Sequence, residues 1–213
     1  TLNAEIITAG GPQHSAPDLE DQRDVLVDRL SSLVSVRVLQ RDDGSIGVLA
    51  GDLLLVDGAH TQALEVQSAG GGWVVGTAVG GPVIDAGSGS IKALVDFLGT
   101  TLPSLRSRLD GLAQAVVGEF NTIHRTGFTL GGSTGVDFFD PAGVTAANIS
   151  LSAAVLASGD AIAASATGAP GDGAIALQLA GLADTTLAAL GGKTLRGLYG
   201  EIASTVGLGV RDA

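Results

Sequence analysis

The chain contains no cysteine, so disulfides, thiolate metal sites and a cysteine nucleophile are excluded and the fold must stand on packing alone. That absence suits reducing and oxidising surroundings alike and leaves the redox compartment open. Positive charge is also scarce: 11 Lys and Arg stand against 22 Asp and Glu, a net charge of -11 with a pI near 4.4. Nothing in that balance offers a footprint for nucleic acid or for an anionic membrane surface, and neither partner is expected. Long apolar runs are missing too. Mean hydropathy is +0.41, yet 33 glycines break the Ala, Val and Leu into pieces short of the ~20 residues a bilayer span needs. No basic-then-apolar signal precedes Thr1. His14, His60 and His124 lie far apart without His-x3-His or His-Glu-x-x-His spacing, which predicts surface or capping roles. No metal and no cofactor is expected.

What is present is helical periodicity around a short β section. At 213 residues the chain can bury roughly 70% of its unfolded surface. Asp18 reads as the N-cap of a helix running to Val34, with Glu20 and Asp21 favoured by the helix dipole. Leu19, Leu26, Leu30 and Leu33 recur along one line with Gln22, while Asp21, Asp24 and Asp28 fall away from it. An amphipathic helix of this kind needs a partner. Before it, Leu2, Ile6 and Ile7 read as the last turns of a helix whose beginning is missing, stopped by Gly10-Gly11-Pro12.

After Val34 the period shortens to alternation. Val36 and Val38, then Ile46 and Val48, flank Asp42-Asp43-Gly44-Ser45, which predicts a tight hairpin whose central residues tolerate positive φ. Further strands are expected at 53–56, 63–66 and 73–75, forming one small antiparallel sheet with Trp73 as a core anchor. Gly80-Gly81-Pro82 and Gly87-Ser88-Gly89 close this section, and Ser88 or Ser90 caps a long helix from about Ile91 to Thr126. Pro103 predicts a kink or a fresh first turn there, with Gly99-Thr100-Thr101 as a weak joint. Leu102, Leu105, Leu109, Leu112, Val116, Phe120 and Ile123 form its stripe. Beyond Gly127, Ile149 and Leu151 alternate as an edge-like strand. Asp160, Asp172 and Thr194 are the expected caps of three later helices, the last bearing Leu195, Leu198, Ile202 and Val206 and stopping without an ending signal.

No convergent chemistry emerges. Gly131-Gly132-Ser133-Thr134-Gly135 satisfies G-x-S-x-G, but every histidine precedes Ser133 and a plain glycine loop explains the motif. Gly191-Gly192-Lys193-Thr194 has Leu187 where a phosphate loop needs its first glycine. Asp42-Asp43 is a turn tip, the Asp21, Asp24 and Asp28 line a solvated face, and Asn148-Ile149-Ser150 a chance glycosylation triplet.

Several motifs nevertheless fall in one order. They are Leu2-Asn3, then Asp21-Gln22-Arg23-Asp24, then Gly89-Ser90-Ile91 and Leu102-Pro103. Leu109-x-x-Leu112-Ala113, Phe120-Asn121-x-x-His124-x-x-Gly127-Phe128 and Gly135-x-Asp137-Phe138-Phe139 follow, and later Ile162-Ala163-Ala164-Ser165 and Gly171-Asp172. In that order they resemble the hook-associated protein 1 family of flagellar hook-filament junction proteins over nearly the whole chain. The resemblance implies an exported, non-enzymatic structural subunit, extracellular in the bacterial flagellum and sent there by the flagellar type III route. Its implied partners are itself in a ring, the hook protein, the neighbouring hook-filament junction protein and an export chaperone. Terminal helices that pair as a coiled coil would be missing here apart from their stubs, so this fragment is expected to be monomeric, or only weakly associated, in dilute solution. Leu2, Ile6, Ile202 and Val206 are the candidate surfaces those helices would cover. About ten residues separate Phe139 from Ile149, where larger members insert outer β domains, and Gly173 stands where asparagine is expected after Gly-Asp.

The expected fold is α+β: an elongated bundle of long helices from 1–34 and 84–213, with an antiparallel β-sheet and hairpin section at 35–83 inserted between them. The alternative to a junction subunit is a surface- or carbohydrate-binding module of an extracellular appendage, which an exposed platform at Trp73 would favour. An enzyme would need the Ser133 and His124 loops to converge in a deep pocket.

Overall fold

The computed structural model describes residues 1–10, 16–70, 72–78 and 80–211. The stop expected at Gly11-Pro12 and the surface or capping role expected of His14 lie outside them. Two compact units are present, Thr1–Pro103 and Ser104–Ala213. Helices and small antiparallel sheets together make the fold α+β, as the periodicity predicts.

In the first unit, α1 (Leu2–Gly10) is followed by α2 (Pro17–Leu33). The helix starts at Pro17, whose fixed φ suits the first turn. Asp18 is therefore inside the helix and is not its cap; the N-cap is Ala16, without a side-chain bond. The helix is also rotated from the expected line. Leu26 is 53% exposed and Leu33 is exposed, while Leu19, Arg23, Val27, Leu30 and Val34 turn inward, ending on the fully buried Val34. The two apolar lines on α2 are adjacent, and packing selects the one that meets the sheet.

That sheet has the order β1-β2-β3-β4, from Val36–Gln40, Ile46–Ala50, Leu53–Asp57 and His60–Thr61. The first hairpin closes through Asp42-Asp43-Gly44, with Arg41 N–H donating to Ser45 O at 3.0 Å and Gly44 N–H to Arg41 O at 3.1 Å. Only Gly44 takes positive φ, 81°, so this is a type I turn followed by one left-handed residue, not a turn with two. Asp43 accepts from the Ser45 amide at 3.0 Å and the Ser45 hydroxyl at 2.6 Å, which holds its carboxyl below the usual range.

A separate hairpin, β5 (Glu65–Ala69) and β6 (Gly72–Gly76), replaces the single sheet expected of this section. Trp73 lies on it 48% exposed, so it is not a core anchor. Val75 is the residue that hairpin contributes to the core, with Val34, Ala50, Leu55, Ile84 and Ala86. Gly89 closes the circuit at φ 92°: a Cβ there would lie 2.6 Å from the Leu33 carbonyl, so the backbones at the end of α2 and the start of α3 (Ser90–Asp96) meet only through glycine. Gly89 also occupies the N-cap, with no bond from Ser88 or Ser90.

A π-helical turn, Phe97–Thr101, joins α3 to α4 (Leu102–His124), at the joint expected before Pro103. In the second unit α4 buries Ala113, Val117, Asn121 and His124, one line at helical spacing; of the expected stripe Leu109 remains exposed, as does Leu102 before it. Short elements follow: α5 (Ala153–Ala157), α6 (Ala174–Gly181), a two-residue hairpin β7 (Thr186–Leu187) and β8 (Lys193–Thr194), and α7 (Leu195–Arg211). Ile149 forms no strand; Leu151 makes a single antiparallel bridge to Phe139. Ser158, and not Asp160, caps the 3-10 turn Gly159–Ala161. Thr194 does cap α7, its hydroxyl accepting from the Gly197 amide at 2.9 Å.

Candidate assembly surface

Two buried asparagines hold the irregular backbone of each unit. In the first, Asn3 donates to Ile46 O at 2.8 Å and Gly58 O at 2.9 Å and accepts from Ile46 N–H at 3.2 Å, which staples α1 to the start of β2 and to the turn after β3. In the second, Asn121 Oδ1 accepts from the Phe138 and Phe139 amides, both at 2.9 Å, while Nδ2 donates to Phe139 O at 2.9 Å. The side chain imitates a strand partner on the edge of this segment that faces away from Leu151.

His124 completes that lock and corrects the expectation of a surface role. It is wholly buried; Ala163 N–H donates to Nε2 at 2.8 Å, so Nδ1 carries the ring proton and donates to Val136 O at 2.7 Å. Phe138 and Phe120 flank its ring at centroid distances of 5.5 and 6.5 Å, and Phe139 packs on both of them, the three phenylalanines lying 4.6–5.3 Å apart. Gly127 lets the segment at Ala163 approach, since a Cβ there would stand 3.0 Å from both Ala163 Cβ and Ile175 Cγ1. The motif residues Phe120, Asn121, His124, Gly127, Phe138 and Phe139 are thus one structural knot.

This geometry removes the catalytic alternatives. His124 has both nitrogens committed to the backbone and cannot serve Ser133, whose own amide donates to Thr129 Oγ1 at 3.0 Å. Lys193 is tied to Glu201 at 2.6 Å and does not overhang Gly191-Gly192. That pairing, with Arg108 at 3.5 Å, holds the Glu201 carboxyl below its ordinary range. Asp172 accepts from the Ala174 amide at 3.0 Å, the Thr167 hydroxyl at 2.7 Å and the Ser165 hydroxyl at 2.9 Å. Those bonds hold its carboxyl far below the usual range, the Ala174 bond foremost. Asn148 caps its own turn by accepting from Thr145. Among the described residues no group of three or more His, Cys, Asp or Glu could hold a metal, and no helix is long and apolar enough to cross a membrane.

What the side chains leave open is apolar helix surface. In the first unit a groove of about 280 Å³ runs beside α2, lined chiefly by Leu2, Leu26, Leu30, Ile46, Val48 and Val56. Leu94, at 60% exposure, and Phe97 and Leu98 stand free on α3 and the turn after it. In the second unit α7 exposes Tyr199 and Val206, the latter at 45%. Of the four candidate docking residues, Leu2 is half-buried and lines the groove, and Val206 is exposed. Ile6 and Ile202 are buried inside their own units, at 3% and 4% exposure. Sequence reasoning did not single out Leu26, Leu94 or Tyr199 as open; the helical spacing of seven from Leu26 to Leu33 and from Tyr199 to Val206, and of four from Leu94 to Leu98, was the available signal.

Comparison with known proteins agrees with the ordered motifs. Residues 1–139 match the family described as the flagellar hook-associated protein FlgK helical domain. Flagellar hook-associated protein 1 of Escherichia coli strain K12 is 32% identical over 151 residues, 65% of this chain and 28% of that protein. The Bacillus subtilis strain 168 protein of the same name is 29% identical over 228 residues, 86% of this chain and 45% of the relative. The chain thus spans less than half the length of these curated relatives. A solved structure, the flagellar hook junction protein FlgK from Burkholderia pseudomallei, superposes with a TM-score of 0.52 at 28% identity, over 65% of this chain and 27% of that one. These relatives are structural flagellar proteins, and on the match over 1–139 this chain belongs to the flagellar hook-associated protein FlgK family.

Proposed function

We propose that the chain acts in the junction between flagellar hook and filament, assembling with copies of itself in a ring and contacting the hook protein on one side and the next junction protein on the other. The observation that carries this reading is the family match over residues 1–139, which takes in the whole first unit and the Asn121–His124 knot of the second. Export through the flagellar type III route with a chaperone, and coiled-coil pairing of terminal helices, belong to the same proposal. The open apolar surfaces support it. A globular domain that functions alone leaves few such helical faces uncovered. Leu2, in the groove beside α2, and Val206, on α7, are the positions such helices would cover; Ile6 and Ile202 are buried within their own units.

The test adds the protein to purified hooks, alone and fused to the terminal helices of the Bacillus subtilis relative, and images the distal hook end by electron cryomicroscopy. A new layer with the fusion supports the junction role, and its loss on Leu26→Asp or Val206→Asp locates the contact. No layer from either form refutes the role. The surface-binding reading retains one observation, the exposed Trp73 on a hairpin that also exposes Val66. A lone ring is a weak platform, and quenching of Trp73 emission by a soluble polysaccharide is the result that would revive it.

A further inference from the structure

We infer that the open edge of β1 is a docking edge for an extended partner segment in which basic and apolar residues alternate, joining the first unit's sheet as a further strand beside the acidic side of α2. β1 stands at the end of the order β1-β2-β3-β4, so one of its sides has no strand. The direction of its backbone groups follows from two sets of bonds. Arg41 N–H bonds Ser45 O at 3.0 Å, which makes 41 and 45 a bonded pair, so by antiparallel alternation 40 and 46 turn their groups away from each other. Ile46 does so, since its N–H and C=O go to Asn3. Gln40, and Val38 two residues before it, therefore turn their amides and carbonyls outward, and among the described residues no protein group bonds to them. Both are exposed, as are Arg37 and Leu39. Open donors and acceptors in such a row are a template for one more strand.

The side chains around the edge state what that strand must carry. On the face turned to α2, Val38 and Gln40 share a groove of about 260 Å³ with Glu20, Asp24 and Val27. Asp28 follows Asp24 one helical step on, and the hairpin tip adds Asp42 and Asp43. Two arginines also line the groove, and both are engaged: Arg23 donates to Gly44 O at 2.9 Å, and Arg41 is paired with Asp57. Asp24 is 70% exposed, with Arg23 Nε no nearer than 3.7 Å. Open negative charge is thus in excess on this face, and it complements Lys or Arg at every second position of an incoming strand. On the opposite face Leu39, 47% exposed and paired with Gly47, complements apolar residues at the positions between. The chain's own net charge of -11 opposes a second copy at this edge. None of this depends on the flagellar reading.

The probe is an eight-residue peptide of alternating Lys and Val with blocked ends, titrated at low salt into the isotope-labelled chain and followed by nuclear magnetic resonance. Binding is expected to shift the amides of β1 and of α2 around Glu20 and Asp24, and to slow exchange at Val38 and Gln40 by roughly tenfold at saturation. A peptide alternating Glu and Val is expected to bind roughly tenfold more weakly. Val38→Pro removes an outward N–H and no ladder bond, so it is expected to keep the fold and to weaken binding roughly tenfold. Asp24→Asn with Asp28→Asn, at two exposed positions, is expected to weaken binding roughly threefold and to reduce its salt dependence, and it keeps the test decisive if Val38→Pro does not fold. No binding, or shifts that leave β1 untouched, would overturn the inference. So would equal affinity for a block peptide of four Lys followed by four Val, which has the same charge and cannot alternate. A wild-type dimer in sedimentation that Val38→Pro abolishes would place a second copy on the edge and overturn it too.

Discussion

Replacing Asn121 by alanine isolates the energetic weight of the knot. Its amide satisfies three backbone groups at 2.9 Å: the Phe138 and Phe139 N–H groups and the Phe139 carbonyl. The side chain is 3% exposed, so water does not replace it freely, and each orphaned group costs about 1–3 kcal/mol. Partial relaxation of the loop should recover some of that. The expected loss is about 3–5 kcal/mol, a large share of the roughly 5–15 kcal/mol by which a domain is stable. Urea denaturation followed by far-UV circular dichroism measures the shift. Native-state hydrogen exchange should show the Phe138 and Phe139 amides exchanging more than a hundredfold faster, since about 1.4 kcal/mol corresponds to each factor of ten. Asn121→Asp keeps the acceptor and loses the donor, so it should recover part of the protection. A loss below about 1 kcal/mol for Asn121→Ala, with both amides still protected, would refute the view that this side chain substitutes for a strand.

Three other outcomes follow from the same geometry. His124→Ala leaves Val136 O and Ala163 N–H unpaired beside a cavity flanked by Phe120 and Phe138, and should cost about 3–5 kcal/mol in urea denaturation. Gly127→Ala should cost about 1–3 kcal/mol by overpacking against Ala163 and Ile175, whereas Gly118→Ala, where a Cβ meets nothing within 4 Å, should stabilise by about 1 kcal/mol. Asp172 has a folded-state pKa below its unfolded value of about 3.9, so its contribution is complete above about pH 4 and is lost as pH falls through the folded value. The stability gap between wild type and Asp172→Asn should therefore be flat from pH 7 to about pH 5 and close below about pH 4.

The long helices, the first hairpin and the joint at Pro103 were legible because each is written in local signals: period, turn chemistry and the missing proline amide. The rotation of α2 was not. Leu26 and Leu33 lie beside Val27 and Leu30 on the helix surface, and only the position of the sheet decides between the lines. The knot was hidden for a related reason. Asn121 meets residues 17 and 18 positions away, and His124 meets one 39 positions away, so no window centred on either shows what it does. Asn121 in the last turn of a strong helix, one turn before its terminal His124, was the available hint, since Asn is a poor helix former. Trp73 misled through its size: the burial habit of large aromatics is an average, and on this hairpin Val75 takes the inward place.

The bridge between Phe139 and Leu151 has an architectural consequence. Asp140 N–H donates to Ser150 O and Ser152 N–H to Phe138 O, both at 2.9 Å, so the chain leaves and re-enters the unit through two adjacent, mutually bonded doors. The knot binds the outgoing door through Asn121, and the Ser152 hydroxyl binds the returning one to Asp137 O at 2.5 Å. What lies between them is tied back to α4 by the Ala146 amide on Asp110 Oδ1 at 2.9 Å, and lengthening it would cost little in chain entropy, because each doubling of a closed loop adds only about 0.6 kcal/mol. The second unit thus carries a docking port for new sequence: a gate whose posts are fixed, through which an entire additional module could be grafted while its host stays folded.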